Sequence, residues 1–178
     1  MIWLNEPAKW HADDGTLSLT TDPKTDFWRK THYGFIRDNG HFSYETVSGD
    51  FVVETEFEGK YHALYDQAGL MIRLDQTTWL KTGIEFVDGV QHVSAVVTRD
   101  YSDWSVVKLP TPLPTLRLRA SRKAGTVIIE YQDGSRTWFM LRTAFLSTAA
   151  ELQVGRMAAS PHGPGFEVCF RDFSITRA

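Results

Sequence analysis

A chain of 178 residues with 19 Lys and Arg against 22 Asp and Glu is long enough for one domain with a sizeable core, here residues 1–178. Its net charge of −3 is spread without a basic stripe, which argues against nucleic acid, and no stretch reaches the roughly 20 apolar residues that span a bilayer. The start, MIWLNEPAKWHADD, lacks a cationic lead and an apolar run, and Cys169 is the single cysteine, so no intramolecular disulfide is expected and the cytoplasm is favoured.

Helical periodicity is almost absent. Short runs of Val, Ile, Phe, Trp and Thr recur between turn dipeptides at Asp14-Gly15, Asn39-Gly40, Asp88-Gly89 and Asp133-Gly134. That pattern reads as an all-β, antiparallel two-sheet sandwich of jelly-roll type. The first hairpin joins Lys9–Ala12 to Thr16–Thr20, and Asp22-Pro23 then breaks the chain before a strand over Phe27–Tyr33. His41–Val47 and Asp50–Glu58 follow. In the second of these Glu54, Glu56 and Glu58 alternate with apolar residues and read as a wetted outer face.

Gln67–Leu74 sends Ala68, Leu70, Ile72 and Leu74 to the core, which leaves Gln67 and Arg73 on the other face. Trp79–Thr98 is a hairpin closed by Asp88-Gly89, a dipeptide that accepts positive φ at both turn positions. With a two-residue turn, Glu85 lies opposite His92, Gly83 opposite Ser94, Lys81 opposite Val96 and Trp79 opposite Thr98. These residues share one face, while Leu80, Ile84, Phe86, Val93 and Val97 take the other. An acid, a base, an imidazole and two hydroxyls thus converge beside Trp79, and Gly83 leaves a gap among them. Arg99–Trp104 is polar and reads as a rim loop.

Pro110, Pro112 and Pro114 enforce an unpaired connector between sheets. Leu116 and Leu118 alternate with Arg117 and Arg119, read as surface charge. Val127–Gln132 and Arg136–Leu141 read as a hairpin over Asp133-Gly134. Glu151–Arg156 and Phe166–Thr176 complete the sheets. A parity change between Phe170 and Phe173 marks a bulge near Arg171-Asp172, and Cys169 reads as a small core side chain.

The run Asp66-Gln67-Ala68-Gly69-Leu70 with Trp79–Glu85, then Val97-Thr98 and Ser102–Ser105, resembles the signature of a bacterial and fungal family of concanavalin-A-like domains. Asp26-Phe27-Trp28, Thr31–Gly34, Val154-Gly155 and Ala158–Pro161 fit the same pattern, so the resemblance covers nearly all of the chain. That family is a domain of unknown function, and some members carry the label "regulation of enolase protein". The resemblance implies a concanavalin-A-like jelly roll and brings no reaction with it.

The candidate site is the polar face. Lys81, Glu85, His92 and Ser94, with Gln67 from the neighbouring strand, would hold a small polar ligand, most simply a carbohydrate, and Trp79 or Trp104 would serve as stacking platforms. Lys81 and Glu85 lie about 13 Å apart along their strand and cannot pair directly, so Glu85 is expected to meet His92. Neither of the first two is then needed for the fold, and changing them should leave stability intact. The closely alternating acids of sandwich glucanases are missing, since Glu85 and Asp88 have opposite parity. Binding is therefore favoured over hydrolysis. Two alternatives stay open: a regulatory module acting on a metabolic enzyme, as the family label suggests, and an enzyme acting on a sugar or sugar phosphate. The six histidines show no ligand spacing, so neither metal nor cofactor is expected.

Overall fold

The computed structural model describes residues 1–177. The chain opens with β1 (Ile2–Leu4), β2 (Lys9–Asp13), β3 (Thr16–Thr20), β4 (Phe27–Arg29) and β5 (Ile36–Asp38). It continues through β6 (His41–Ser48), β7 (Phe51–Gly59), β8 (Gln67–Arg73), β9 (Thr78–Val87), β10 (Val90–Arg99) and β11 (Tyr101–Lys108). Last come β12 (Leu116–Lys123), β13 (Thr126–Gln132), β14 (Phe139–Phe145), β15 (Glu151–Ala159) and β16 (Glu167–Arg177). Among the described residues no helix is long and apolar enough to cross a membrane.

Two seven-stranded antiparallel sheets form the sandwich. The first runs β1-β6-β15-β8-β9-β10-β11 and the second β14-β13-β12-β7-β16-β3-β2; β4 and β5 form a separate hairpin. The proline connector carries the chain from β11, at the edge of the first sheet, to β12 inside the second. Period-2 alternation decides what faces the core. Leu116, Leu118 and Ala120 point inward to meet Phe57, Leu70 and Leu80, whereas Arg117 and Arg119 point out and pair with Glu54 and Glu130. Glu54 and Glu58 of the acidic ridge are thus ion-paired on an outer face, Glu58 with Arg171 at 2.6 Å.

The central hairpin has the register read from its turn, with Val87 opposite Val90 and Glu85 opposite His92. Asp88 and Gly89 take φ of 50° and 77°, the left-handed pair that lets a two-residue turn follow the strand twist. The register of β16 against β7 shifts between Arg171 and Ser174, at the expected bulge.

Four local expectations are corrected. The strand from Phe27 stops at Arg29, because Lys30 and His32 adopt left-handed backbone and the chain doubles back into β5. Arg99–Trp104 is no rim loop: a single left-handed residue, Asp100, turns β10 directly into the edge strand β11. The hairpin at Asp133-Gly134 is wider than read, with Tyr131 pairing Phe139 across residues 133–138. Cys169 is only half-buried, because Val168 and Phe170 take the inward positions and alternation turns the thiol to the outer face.

Candidate functional site

The first sheet buries its other face too, but only over part of its length. The β4–β5 hairpin lies across it and brings Phe27 and Trp28 down onto Phe42, Met71, Trp79, Val96 and Met157, a second apolar cluster separate from the main core. The base of the hairpin is clasped by Asp26 and Asn39. The Asp26 carbonyl accepts from the N–H groups of Asn39 and Gly40 at 3.1 and 3.0 Å, and Asn39 Oδ1 accepts from the Asp26 N–H at 3.0 Å. At its far side Arg29 and Lys30 reach the Asp100 carboxylate at 2.9 and 2.6 Å, and these two bonds hold that carboxyl below the usual range.

Lys81 is the bolt of this arrangement. Its ammonium is buried and donates to the Phe27 carbonyl (2.6 Å), Gln67 Oε1 (2.6 Å) and Asp26 Oδ1 (3.3 Å), which engages all three of its protons. Gln67 is equally committed, since its amide donates to Asp26 Oδ1 and to the Tyr65 carbonyl. The expectation that Lys81 stands free of the fold is therefore corrected. It ties β9 to the hairpin above and to β8 beside it.

Beyond the hairpin the face opens into a cavity of about 910 Å³. Small-molecule sites run from about 300 to 1,000 Å³. Lys81, Glu85 and Asp26 lie on its floor, and Trp28, Tyr33, Tyr65 and Trp104 stand around it. Asn39 and His162 reach it from the hairpin and from the loop after β15. The wall that bears Tyr65 is shaped by Asp66, which is fully buried. Its carboxylate accepts from the N–H groups of His62 and Ala63 and from Ser160 Oγ at 2.6 Å, and so binds this loop to the end of β15. Tyr65 itself holds left-handed backbone (φ 65°), fixed by its N–H bond to the Phe86 carbonyl at 2.7 Å.

Glu85 is buried and takes both of its protein hydrogen bonds on one oxygen: Ser94 Oγ and Trp104 Nε1 each donate to Oε2 at 2.7 Å. Among the described residues nothing bonds Oε1. Burial pushes the Glu85 carboxyl above the ordinary range, opposed by the charge of Lys81 and by these two donors. Asp26 repeats the pattern. Its Oδ1 accepts from Phe27 N–H, Gln67 and Lys81, and Oδ2 has no protein partner among the described residues. The Tyr33 and Tyr65 hydroxyls meet at 3.2 Å, a bond that pushes the Tyr65 phenol up to about 12.

Of the residues singled out by sequence, Gln67, Lys81, Glu85, Ser94 and Trp104 come together here. Two do not. Trp79 is completely buried beneath the hairpin and offers no platform. His92 lies opposite Glu85 in register, but its ring turns to the Val90 carbonyl at 3.0 Å, while Ser94 and Trp104 take the carboxylate. Nor does Gly83 leave an approach. It pairs with Gly69 where the main chains of β8 and β9 come close, and the void beside it is about 10 Å³, no more than a water's room. Asp26, Trp28, Tyr33 and Tyr65 were missed as site residues. The first three stand in the Asp26–Gly34 motif that carried the resemblance, and Lys81's need for an acid was the signal that could have found Asp26.

Fold and cavity together define a concanavalin-A-like β-sandwich with an aromatic-walled pocket on one sheet. Residues 3–178 match the family described as "Protein of unknown function (DUF1349)", and the chain belongs to that family. It is 40% identical over 174 residues, 98% of this chain and 88% of the relative, to "Regulation of enolase protein 1" of Saccharomyces cerevisiae. A crystal structure of a functionally unknown protein from Saccharomyces cerevisiae superposes with TM-score 0.95 at 39% identity, covering 99% of this chain and 96% of that one. More distant likenesses show the fold alone. Carbohydrate binding module CBM66 from Bacillus subtilis has TM-score 0.65 at 15% identity, over 98% and 95% of the two chains. A bifunctional GH43-CE protein of Bacteroides eggerthii has TM-score 0.73 at 19% identity, over 99% of this chain but 23% of that one.

Proposed function

We propose that this chain is a cytoplasmic binding domain that takes a carbohydrate or similar small polar ligand into the pocket of its first sheet. The observation that carries this reading is the pocket's construction: aromatic walls around two carboxylates, Asp26 and Glu85, each with one oxygen free of protein partners. Concave apolar walls with a few converging polar groups are the common form of a small-molecule site. The likeness of the fold to a carbohydrate binding module supports the same reading. Within it Glu85 and Trp104 touch ligand, while Lys81, Gln67 and Ser94 hold the floor in place. Isothermal titration with a panel of monosaccharides and sugar phosphates tests it. Saturable binding that Trp104→Ala abolishes is expected; binding unaffected by Trp104→Ala would move the site elsewhere.

A second reading is favoured by a different surface. On the outer face at the β13–β14 edge Ile128, Met140 and Phe145 are 38%, 68% and 50% exposed, a run of apolar side chains away from the pocket. Exposed apolar groups of this kind suit a protein partner, and the name of the yeast relative points to enolase. Surface plasmon resonance against purified enolase, with Phe145→Asp as the control, decides this. Binding that the substitution removes supports the regulatory reading, and no binding overturns it.

A further inference from the structure

Trp28, Tyr33, Tyr65 and Trp104 close into a ring of four aromatic side chains. Trp28 and Trp104 lie 6.5 Å apart at 87°, Trp104 and Tyr65 6.2 Å at 85°, and Tyr33 and Trp28 5.7 Å at 67°. The Tyr33–Tyr65 hydroxyl bond shuts the fourth side. Successive rings stand near perpendicular, so they do not make the single flat platform on which a sugar ring stacks. They surround a common space instead, and all four line the same cavity.

The two indole N–H groups of this ring and one of its two phenol protons are already spent. Trp28 Nε1 donates to the Thr31 carbonyl at 2.9 Å, Trp104 Nε1 donates to Glu85, and the two tyrosine hydroxyls bond each other. Lys24 lines the cavity as an exposed side chain with no ion pair among the described residues; the other neighbouring cations are engaged. Lys81 uses its three protons on the floor, Arg73 makes two bonds to Asp38, and Arg37 lies over the Phe35 ring. What stays free at the floor is acceptor only: Glu85 Oε1 and Asp26 Oδ2, with no ion-pair partner on Glu85 among the described residues. Aromatic faces carry negative charge density and attract cations, most strongly where water is excluded. Tyr65 reaches its place only through left-handed backbone, a cost of the kind that structures retain at working sites.

We propose that the ligand carries a positively charged nitrogen, enclosed by Trp28, Tyr33, Tyr65 and Trp104 over the free oxygen of Glu85; for a sugar, this is an amino sugar with its amine unacylated. The inference rests on the pocket being the ligand site, as proposed above.

The test compares glucosamine and galactosamine with glucose, galactose and the two N-acetylated amines, and adds tetramethylammonium as a bare cation. Binding is followed by calorimetry and by the indole N–H resonances of Trp28 and Trp104. Free amino sugars are expected to bind about tenfold more tightly than their neutral counterparts. Glu85→Gln and Tyr65→Leu should each erase that preference, bringing the affinity for each amine down to that for its neutral parent in the same variant. Equal affinity for amine and neutral parent, or a preference that survives both substitutions, overturns the cation proposal and leaves the pocket reading intact. Tetramethylammonium binding without any sugar binding supports the cation proposal and overturns the carbohydrate reading. No binding by any probe overturns both.

Discussion

The two ends of the pocket face of the first sheet present side chains of one parity on the same strands, yet one end is interior and the other is open. Trp79, Met71 and Val96 are fully buried under the β4–β5 hairpin, whereas four strand positions beyond Lys81 the carboxyl of Glu85 borders the cavity. Lys81 and Glu85 sit four residues apart on β9, and burial removes both from water. The first has every proton engaged by protein; the second has an oxygen left over. The lesson is that the composition of a sheet face does not decide whether it is core or site. What covers it does.

Substitutions along this face should therefore separate by position and not by polarity. Trp79→Ala is expected to cost most, about 3–5 kcal/mol in denaturant unfolding, because it empties a fully enclosed volume. A loss under 1 kcal/mol would mean that the covered end is not a true interior. Lys81→Met comes next, at about 3 kcal/mol, since it strands the Asp26 carboxylate and the Gln67 and Phe27 oxygens beneath the hairpin. Should the melting temperature of that variant match the parent, Lys81 would belong with Glu85 as a ligand group.

Glu85→Gln should change stability at neutral pH by no more than about 1 kcal/mol, because the amide oxygen still accepts from Ser94 and Trp104. Its signature is in the pH profile. Burial raises the folded-state value, so the native protein holds this proton more tightly than the unfolded chain does. Glu85 therefore costs least stability below the ordinary carboxylate range. The cost grows as pH rises from there through the raised folded value. Unfolding curves across that window should show the slope flattened in Glu85→Gln; an unchanged slope would assign it to another carboxyl. The smallest effect is expected for His92→Ala, within about 0.5 kcal/mol, with ligand binding intact.

Much of this was legible in the chain. Asp88-Gly89 set the register of the central hairpin, and with it the shared face of Lys81, Glu85 and Ser94. Alternation placed the outward arginines of β12 and the break in β16. The cover was not legible. Phe27–Tyr33 read as one strand because no glycine or proline interrupts it, and nothing local announces that Lys30 and His32 will take left-handed backbone. Without that turn no reader of the sequence could lay Phe27 against Trp79 or bring Asp26 to Lys81. Trp79 and Trp104 also look alike in sequence, as aromatic residues at the border of one polar face. Only the reach of the hairpin makes one of them interior and the other a wall.

The clasp of Asp26 and Asn39 has an evolutionary consequence. Between those two residues the chain leaves the sandwich and returns to nearly the same point, its ends fixed by two main-chain bonds to the Asp26 carbonyl and one to the Asn39 side chain. Loop closure becomes only slowly more costly with length. The excursion is thus a replaceable cassette: it carries Trp28, Tyr33, Phe35 and Arg37 to the pocket, while the strands beneath supply a constant floor. Homologous chains could acquire new ligands by exchanging this one segment, and grafting it between relatives should transfer preference without rebuilding either sheet.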